Sequence, residues 1–352
     1  MPTPILLLDG GLGTTLAYQH GCIFSESTPL WSSHLLLSDP DSALLKTQTA
    51  FADAGADVIL SATYQASYEG FARTGDGVGE REAGRLMRRS VKIARASFKQ
   101  KESDKGTVAL SLGAYGATMV PSQEYSGKYD ESHLSVEALR AWHVKRLQAF
   151  VPVPAGRSDS LEEEEEKIRV WGDIGYVAFE TVPLLQEIEA VRAAMTGMKR
   201  EFWVSCVFPG EENKLPDGSC IRDVVRAMLE RQKGLAVPWG IGVNCTKVGK
   251  VEGLILEFEK EVQLLISGRE AEWPSLVIYP DGTDGEIYNT VTKEWVKGPA
   301  GRESETAWDE TIFGIVERAR ERGRWRSILV GGCCKTTPKD IERLRRRIDG
   351  FS

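Results

Sequence analysis

Eight short apolar runs recur along this chain, each followed by a polar or amphipathic stretch, and that alternation restricts the fold more than any other feature. The runs span residues 5–9, 57–62, 107–113, 176–180, 202–208, 240–245, 275–279 and 327–331. Most lack period-two alternation, as strands do when both of their faces are buried. Between the runs the period changes. In residues 41–54, Ala43, Leu44, Ala50, Phe51 and Ala54 keep helical spacing, and Gly55 is placed to stop a helix. Residues 187–195 and 338–348 also read as helices, with Pro338 suited to a first turn. Eight strand–helix units predict an α/β chain folded as a (β/α)8 TIM barrel, a single domain over residues 1–352 with loop insertions. The rival is a doubly wound open sheet, which tolerates other strand counts.

Three segments read as insertions. Residues 151–167 hold two prolines, two serines and then Glu162–Glu166, and we expect a mobile acidic segment there. The glutamate run is read as a solvated helix face or a loop. Residues 113–130 form a long connection after the third run, carrying Tyr115, Tyr125 and Tyr129. Residues 281–307 form another. Long loops in compact domains are commonly lids or binding loops.

The formal net charge of -7 offers no basic field, so neither nucleic acid nor an anionic membrane is an expected partner. No apolar stretch approaches the roughly 18 residues of a transmembrane helix. Six cysteines are few for 352 residues, which argues against an extracellular disulfide framework and for a metal or reactive-thiol role in the cytoplasm.

Three of those cysteines end predicted strands. Cys245 closes the sixth run, and Cys333 and Cys334 follow the eighth in the string Gly331-Gly332-Cys333-Cys334. In a barrel the βα loops at the strand C-termini build the active site. If the two strands are neighbours there, three thiolates meet at one end. Three thiolates with an open fourth position hold a catalytic zinc that a thiol substrate completes. The alternatives are three small buried hydrophobes, or a Cys333–Cys334 disulfide. Cys206 lies inside the fifth run and reads as core. His20, His34, His133 and His143 fall in helix or loop patterns and are not assigned to a metal.

Asp9-Gly10-Gly11-Leu12-Gly13-Thr14 follows the first run. It lacks the lysine of a phosphate-binding loop and the spacing of a dinucleotide fingerprint. It reads as a tight turn whose N–H groups bind a small carboxylate, with Asp9 offered to an ammonium. Glu180 ends the fourth run, where a carboxylate is costly unless paired or placed in a site. Asp9 and Glu180 together form a candidate amino-group clamp, with rim salt bridges as the alternative.

These strings stand in one order with residues 61–67, Tyr115-Gly116-Ala117, Glu124-Tyr125, 179–183, 242–245, Tyr279-Pro280, Trp295 and Thr336-Thr337-Pro338. Together they resemble the homocysteine S-methyltransferase family, over nearly the whole chain from about residue 6 to 345. The resemblance implies one zinc per chain on Cys245, Cys333 and Cys334. It implies that Asp9 and Glu180 receive the homocysteine amino group, that Gly10, Gly11, Gly13 and Thr14 hold its carboxylate, and that Asn244 supports the ligand cysteine. No catalytic residue is implied beyond the zinc-activated substrate thiolate. The chain is short, like the family members that use S-methylmethionine or S-adenosylmethionine, and carries no cobalamin or folate module.

The expected reaction is methyl transfer from a sulfonium donor to L-homocysteine, giving methionine. Tyr64, Tyr115, Tyr125 and Tyr129 are candidates to surround the sulfonium by cation–π contact. A betaine or selenocysteine methyltransferase of the same fold is the nearest alternative. A thiol-redox or zinc-binding protein using Cys333 and Cys334, and a barrel enzyme binding a phosphorylated substrate at residues 10–14, are rivals of other classes. Oligomeric state is not readable from the sequence.

Overall fold

The computed structural model describes residues 3–25, 28, 30–38, 40–74, 77–98, 106–152, 160–267, 272–283, 286–289, 294–297 and 306–350. All eight predicted runs are strands. In chain order the strands are β1 (Ile5–Leu7), β2 (Val58–Leu60), β3 (Thr107–Gly113), β4 (Ile174–Val182), β5 (Glu201–Cys206), β6 (Gly240–Asn244), β7 (Ser275–Tyr279), β8 (Glu286–Asn289), β9 (Glu294–Lys297) and β10 (Ile328–Val330). Eight of them form one parallel sheet in the order β1-β10-β7-β6-β5-β4-β3-β2. The ring closes between β1 and β2 through a parallel bridge from Leu8 to Val58 and the bonds Asp9 N to Val58 O and Asp57 N to Leu7 O, at 3.1 and 2.7 Å. This is the (β/α)8 barrel, and the open-sheet rival falls.

Strand burial explains the missing period-two signal. On β3, Val108, Leu110 and Leu112 pack outward against the helices, while Ala109 packs into the barrel with Val58, Ala178, Trp203, Val277 and Leu329. Both faces are apolar, so sequence alternation carries no contrast.

The expected helices form over Pro40–Leu44, Leu45–Asp53, Leu185–Ala194 and Pro338–Gly350. Gly55 takes a left-handed φ of 103° after the second of these.

Of the two readings of the glutamate run, the helix face is the one that forms. Residues 153–159 lie outside the described residues, but the glutamate run sits on the barrel helix Leu161–Asp173. Ser160 caps that helix by accepting from Glu163 N at 3.3 Å. Two of its glutamates face inward toward Arg88 on the helix Glu80–Ala96. The Arg88 Nε bonds Glu166 at 2.7 Å and its Nη2 bonds Glu163 at 3.2 Å, so this part of the run is an anchored helix face and not a loop.

Of residues 281–307, β8 and β9 form an antiparallel hairpin. Residues 284–285, 290–293 and 298–305 lie outside the described set, as does the side chain of Trp295. Among the described residues, no helix is long and apolar enough to cross a membrane.

Candidate active site

The C-terminal ends of the strands open into one cavity of about 150 Å³, lined by the glycine turn, the three cysteines and Glu180.

The thiols meet there although β7 lies between β6 and β10, so their strands are not neighbours. Each turn reaches across through backbone bonds. Cys245 N donates to Tyr279 O at 3.2 Å, and Cys333 N donates to Pro280 O at 2.9 Å. The Sγ atoms of Cys245, Cys333 and Cys334 all lie within 4.8 Å of one another. Cys245 and Cys333 are joined by a disulfide, with Cα atoms 5.6 Å apart. Cys334 is free. The vicinal Cys333–Cys334 pairing is therefore not the one formed. A tetrahedral zinc with Zn–S bonds of about 2.3 Å separates its sulfurs by about 3.8 Å, so this cluster fits such an ion once the disulfide is reduced. Burial first, then the Asp281 and Glu124 carboxylates, push the Cys334 thiol up to about 12. A thiolate at this position thus calls for a cation beside it.

Backbone strain concentrates at the same mouth. Five non-glycine residues in the described set have left-handed φ. Cys245 (47°) and Trp31 (44°) line the cavity, and Thr181 (58°) and Lys335 (63°) directly follow the lining residues Glu180 and Cys334. A β-branched residue at φ 58° is costly and persists only where the surroundings enforce it. Here Asn244 does so. Its Oδ1 accepts from Thr181 N at 2.7 Å, and its Nδ2 donates to Thr181 Oγ1 at 2.8 Å and to Cys245 Sγ at 3.3 Å. Asn244 thus joins the end of β4 to the cysteine after β6.

Both predicted carboxylates are buried; Glu180 lines the cavity, whereas Asp9 is not among its lining residues and sits directly before the lining residue Gly10. Asp9 is 1% exposed, and its Oδ2 accepts from Leu60 N at 2.9 Å while its Oδ1 has no partner. Burial pushes Asp9 well above the carboxylate range against the Leu60 bond, and the Glu180 charge adds to the rise. Glu180 is 4% exposed and accepts from Ser111 Oγ. Burial raises it to about 7 despite the Ser111 and Tyr279 hydroxyls. Neither carboxylate has an ion-pair partner among the described residues, so the rim salt-bridge alternative is not what forms.

The glycine turn is only partly as expected. Gly11 N donates to both Oγ1 and O of Thr336 at 3.0 Å, and Thr14 Oγ1 accepts from Lys335 N at 2.9 Å. These two residues tie the turn to the cysteine loop and have little left for a ligand. Gly10, Leu12 and Gly13 also line the cavity, where the helix Leu12–His20 begins.

The four tyrosines divide. Tyr64 and Tyr125 line the cavity. Tyr115 and Tyr129 are not among its lining residues, and the expectation for them is corrected. Tyr115 stacks on His133 at 4.0 Å and bonds Asp130, and Tyr129 OH donates to Glu187 at 2.5 Å. They belong to a packed cluster with Trp142 and His143 behind the wall. His143 is buried and bonds Glu187 at 2.9 Å, a packing role. Cys206 is buried in the core as expected.

Ser111, Tyr279 and Glu124 are among the lining residues that escaped assignment. Ser111 is a lone hydroxyl inside an apolar run, which is a weak signal. Tyr279 OH bonds Ser205 at 2.6 Å and reaches Glu180. Glu124 is a buried carboxylate on a loop whose course the sequence does not disclose.

The sequence and the fold match known proteins. A family model described as homocysteine S-methyltransferase matches residues 6–348. Homocysteine S-methyltransferase 2 of Arabidopsis thaliana is 30% identical, over 97% of this chain and 92% of the relative. A selenocysteine Se-methyltransferase of Brassica oleracea var. italica is 31% identical, over 97% of this chain and 88% of the relative. Among solved structures, the metallated form of the homocysteine methyltransferase MmuM from Escherichia coli superposes with a TM-score of 0.69 at 27% identity, covering 97% of this chain and 96% of that one. With a match across nearly the whole chain and a barrel mouth of three cysteines and two unpaired carboxylates, this chain belongs to the homocysteine S-methyltransferase family, as a methyltransferase acting on homocysteine.

Proposed function

We propose that the enzyme moves a methyl group from a sulfonium donor, S-methylmethionine or S-adenosylmethionine, to the sulfur of L-homocysteine held on one zinc by Cys245, Cys333 and Cys334. The observation that carries this reading is the sulfur cluster, with all three ligand atoms within 4.8 Å, beside an unpartnered Asp9 Oδ1 and a buried Glu180. When bound, the zinc ion keeps the substrate sulfur as a thiolate at neutral pH, where a free thiol of pKa about 8.5 is mostly protonated.

The chain's own residues do the rest. Asp9 and Glu180 accept hydrogen bonds from the homocysteine ammonium, which fixes its Cα relative to the sulfur cluster. The first turn of the helix Leu12–His20 has no side-chain cap, so its N–H groups and partial positive charge suit the carboxylate. Asn244 holds Cys245 in orientation through its donor bond to the sulfur. Methyl transfer then needs the donor carbon in line between two sulfurs, and positioning supplies most of the acceleration. The S–CH3 bond to homocysteine forms as the donor's S–CH3 bond breaks, and the electron pair stays on the donor sulfur. Thiolate and sulfonium become two neutral thioethers, and no general base is required. Tyr64 and Tyr125 offer ring faces to the cation. The likeness to a selenocysteine Se-methyltransferase favours selenocysteine as a second acceptor at the same site. A net charge of -7 agrees with small-molecule substrates.

Two measurements test this. Reduced protein should hold one zinc, keep it when Cys22, Cys206 and Cys220 are replaced, and lose it in Cys245→Ala. A donor panel with homocysteine should show turnover with S-methylmethionine or S-adenosylmethionine. Turnover with betaine alone, or full zinc in Cys245→Ala, would sink the reading.

A further inference from the structure

The cavity has a second set of unsatisfied acceptors, separate from Asp9 and Glu180. Glu124 is 6% exposed, and its Oε2 has no partner although Ser122 and the residue's own N–H bond the carboxyl. Gln65 also lines the cavity and its Oε1 is buried without a partner. The Gln65 orientation is fixed, because its Nε2 donates to the Ala117 carbonyl at 3.0 Å and only an N–H does that. Gln65, from the segment after β2, and Glu124, from the connection after β3, are both tied to one turn of the cavity wall. Ala117 lies in the short 3-10 turn Tyr115–Thr118, and Gly116 of that turn accepts from Gln123 N at 2.8 Å, next to Glu124. Residues 119–122 and Tyr125 of the same connection also line the cavity. This wall comes from a loop after β3, whereas Asp9 and Glu180 sit at strand ends.

Buried acceptors left unpaired are costly, and a carboxylate more so. A group with several N–H donors and a positive charge would satisfy both. Two candidates exist on a sulfonium amino acid, the sulfonium and the α-ammonium. A sulfonium has no N–H and cannot satisfy an acceptor by hydrogen bonding. Its charge also vanishes as the methyl group leaves, so a carboxylate against it would hold the ground state more tightly than the transition state and slow the reaction. The ammonium keeps its charge throughout and lies away from the reacting carbon.

We propose that Glu124, with Gln65, is the seat of the methyl donor's α-ammonium, so that the cavity holds two amino-acid ammonium groups, the acceptor's at Asp9 and Glu180 and the donor's at Glu124. This rests on the sulfonium-donor reading above. It makes Glu124 a donor-selecting residue: it favours sulfonium amino acids over methyl donors without N–H groups. Because the contact is equal in ground and transition states, it sets donor KM and not kcat.

The test is a two-by-two kinetic cycle with L-homocysteine as acceptor. The enzymes are wild type and Glu124→Gln. The donors are S-methylmethionine and its desamino analogue, which keeps the sulfonium and carboxylate but has no ammonium. For S-methylmethionine, Glu124→Gln should raise KM about 10- to 100-fold with kcat within about twofold, the size of one charge-assisted hydrogen bond. Homocysteine KM and zinc content should stay at wild-type values, which a general loss of structure would not allow. The desamino donor should show the same raised KM on wild type and little further change on the variant, because the two deletions remove one contact. An equal penalty for both donors, a fall in kcat at unchanged KM, or equal wild-type KM for the two donors overturns the assignment. The last comparison needs no variant and stands if Glu124→Gln fails to fold. If wild type turns over neither donor, the same comparison is run with S-adenosylmethionine, and no turnover with any of the three sulfoniums fells the sulfonium reading and this assignment with it.

Discussion

At the scale of single residues, the site is a set of buried carboxyls that lack cations. Glu180 shows what that implies. Burial raises it to about 7, so in the empty enzyme it gains its proton as pH falls through neutrality. An ammonium ligand binds the ionised form and must displace that proton at lower pH. Affinity should therefore fall about tenfold per unit as pH drops below about 7 and level off above it. The product methionine is the cleaner probe, since it has the ammonium but no thiol to titrate. Calorimetry from pH 5.5 to 8.5 should show this slope in wild type. Glu180→Gln should bind about 10- to 100-fold more weakly at pH 8 and lose the part of the slope centred near pH 7, leaving only what the raised Asp9 carboxyl contributes. A wild-type affinity flat across that range would mean that Glu180 is not the ammonium's partner. Asp9 and Glu180 were legible in sequence because an acid at the end of an apolar run has no cheap structural explanation. Tyr115 and Tyr129 were misread because an aromatic on a loop looks the same whether it faces a ligand or packs on His133 and Glu187. Glu124 carried no role in sequence, because its importance lies in where residues 119–125 cross the mouth.

At the scale of elements, the strands were legible and the insertions were not. Eight apolar runs map onto eight barrel strands because strands buried on both faces leave a continuous apolar signal. The glutamate run gave a composition and no contacts, and only the structure shows Glu163 and Glu166 turned toward Arg88. The first turn and the last cysteine loop also act as one unit, though about 320 residues separate them in sequence. Gly11 is the closest point of that contact. A Cβ added there would stand 2.5 Å from both the Cys333 carbonyl oxygen and Thr14 Oγ1. The carbonyl is main chain and cannot rotate away, so Gly11→Ala must displace the loop that carries Cys333 and Cys334. The expected cost is about 1–3 kcal/mol of stability. More telling is zinc affinity in the reduced protein, which should fall more for Gly11→Ala than for Gly249→Ala, where an added Cβ meets nothing within 4 Å. Equal zinc affinity in the two variants would separate the turn from the loop that carries Cys333 and Cys334.

At the scale of the whole molecule, the barrel is closed by its first and last units. β1 lies between β10 and β2, and Arg345 on the final helix bonds Asp57 at 2.5 Å and Gly55 O at 3.0 Å, beside the turn into β2. The final helix is held in turn by Asp309, 1% exposed, which accepts from Arg343 Nε at 2.9 Å and Arg347 Nε at 2.8 Å. Burial alone would raise Asp309, but the bonds from Arg347 and Arg343 outweigh it and hold the carboxyl below its usual range. A folded pKa below the unfolded value of about 3.9 gives stability that is present above that value and lost as pH falls through the folded one. Glu180 has the opposite sign. Its raised pKa favours the folded state below about 4.5, and that contribution is lost as pH rises through about 7. Substituting each group by its amide should therefore separate the two limbs of the stability profile. Asp309→Asn should lower unfolding free energy by about 2 kcal/mol at pH 7, allowing for half-exposed arginines that regain water. Its difference from wild type should shrink as pH falls below about 4. Glu180→Gln should be at least as stable as wild type at pH 8 in the absence of ligand, while binding methionine poorly, as a site that gives up stability for function would be. Denaturant unfolding at pH 3.5, 5, 7 and 8 distinguishes these outcomes. An Asp309→Asn deficit that stays constant down to pH 3.5 would show that its charge is not what clasps the ring.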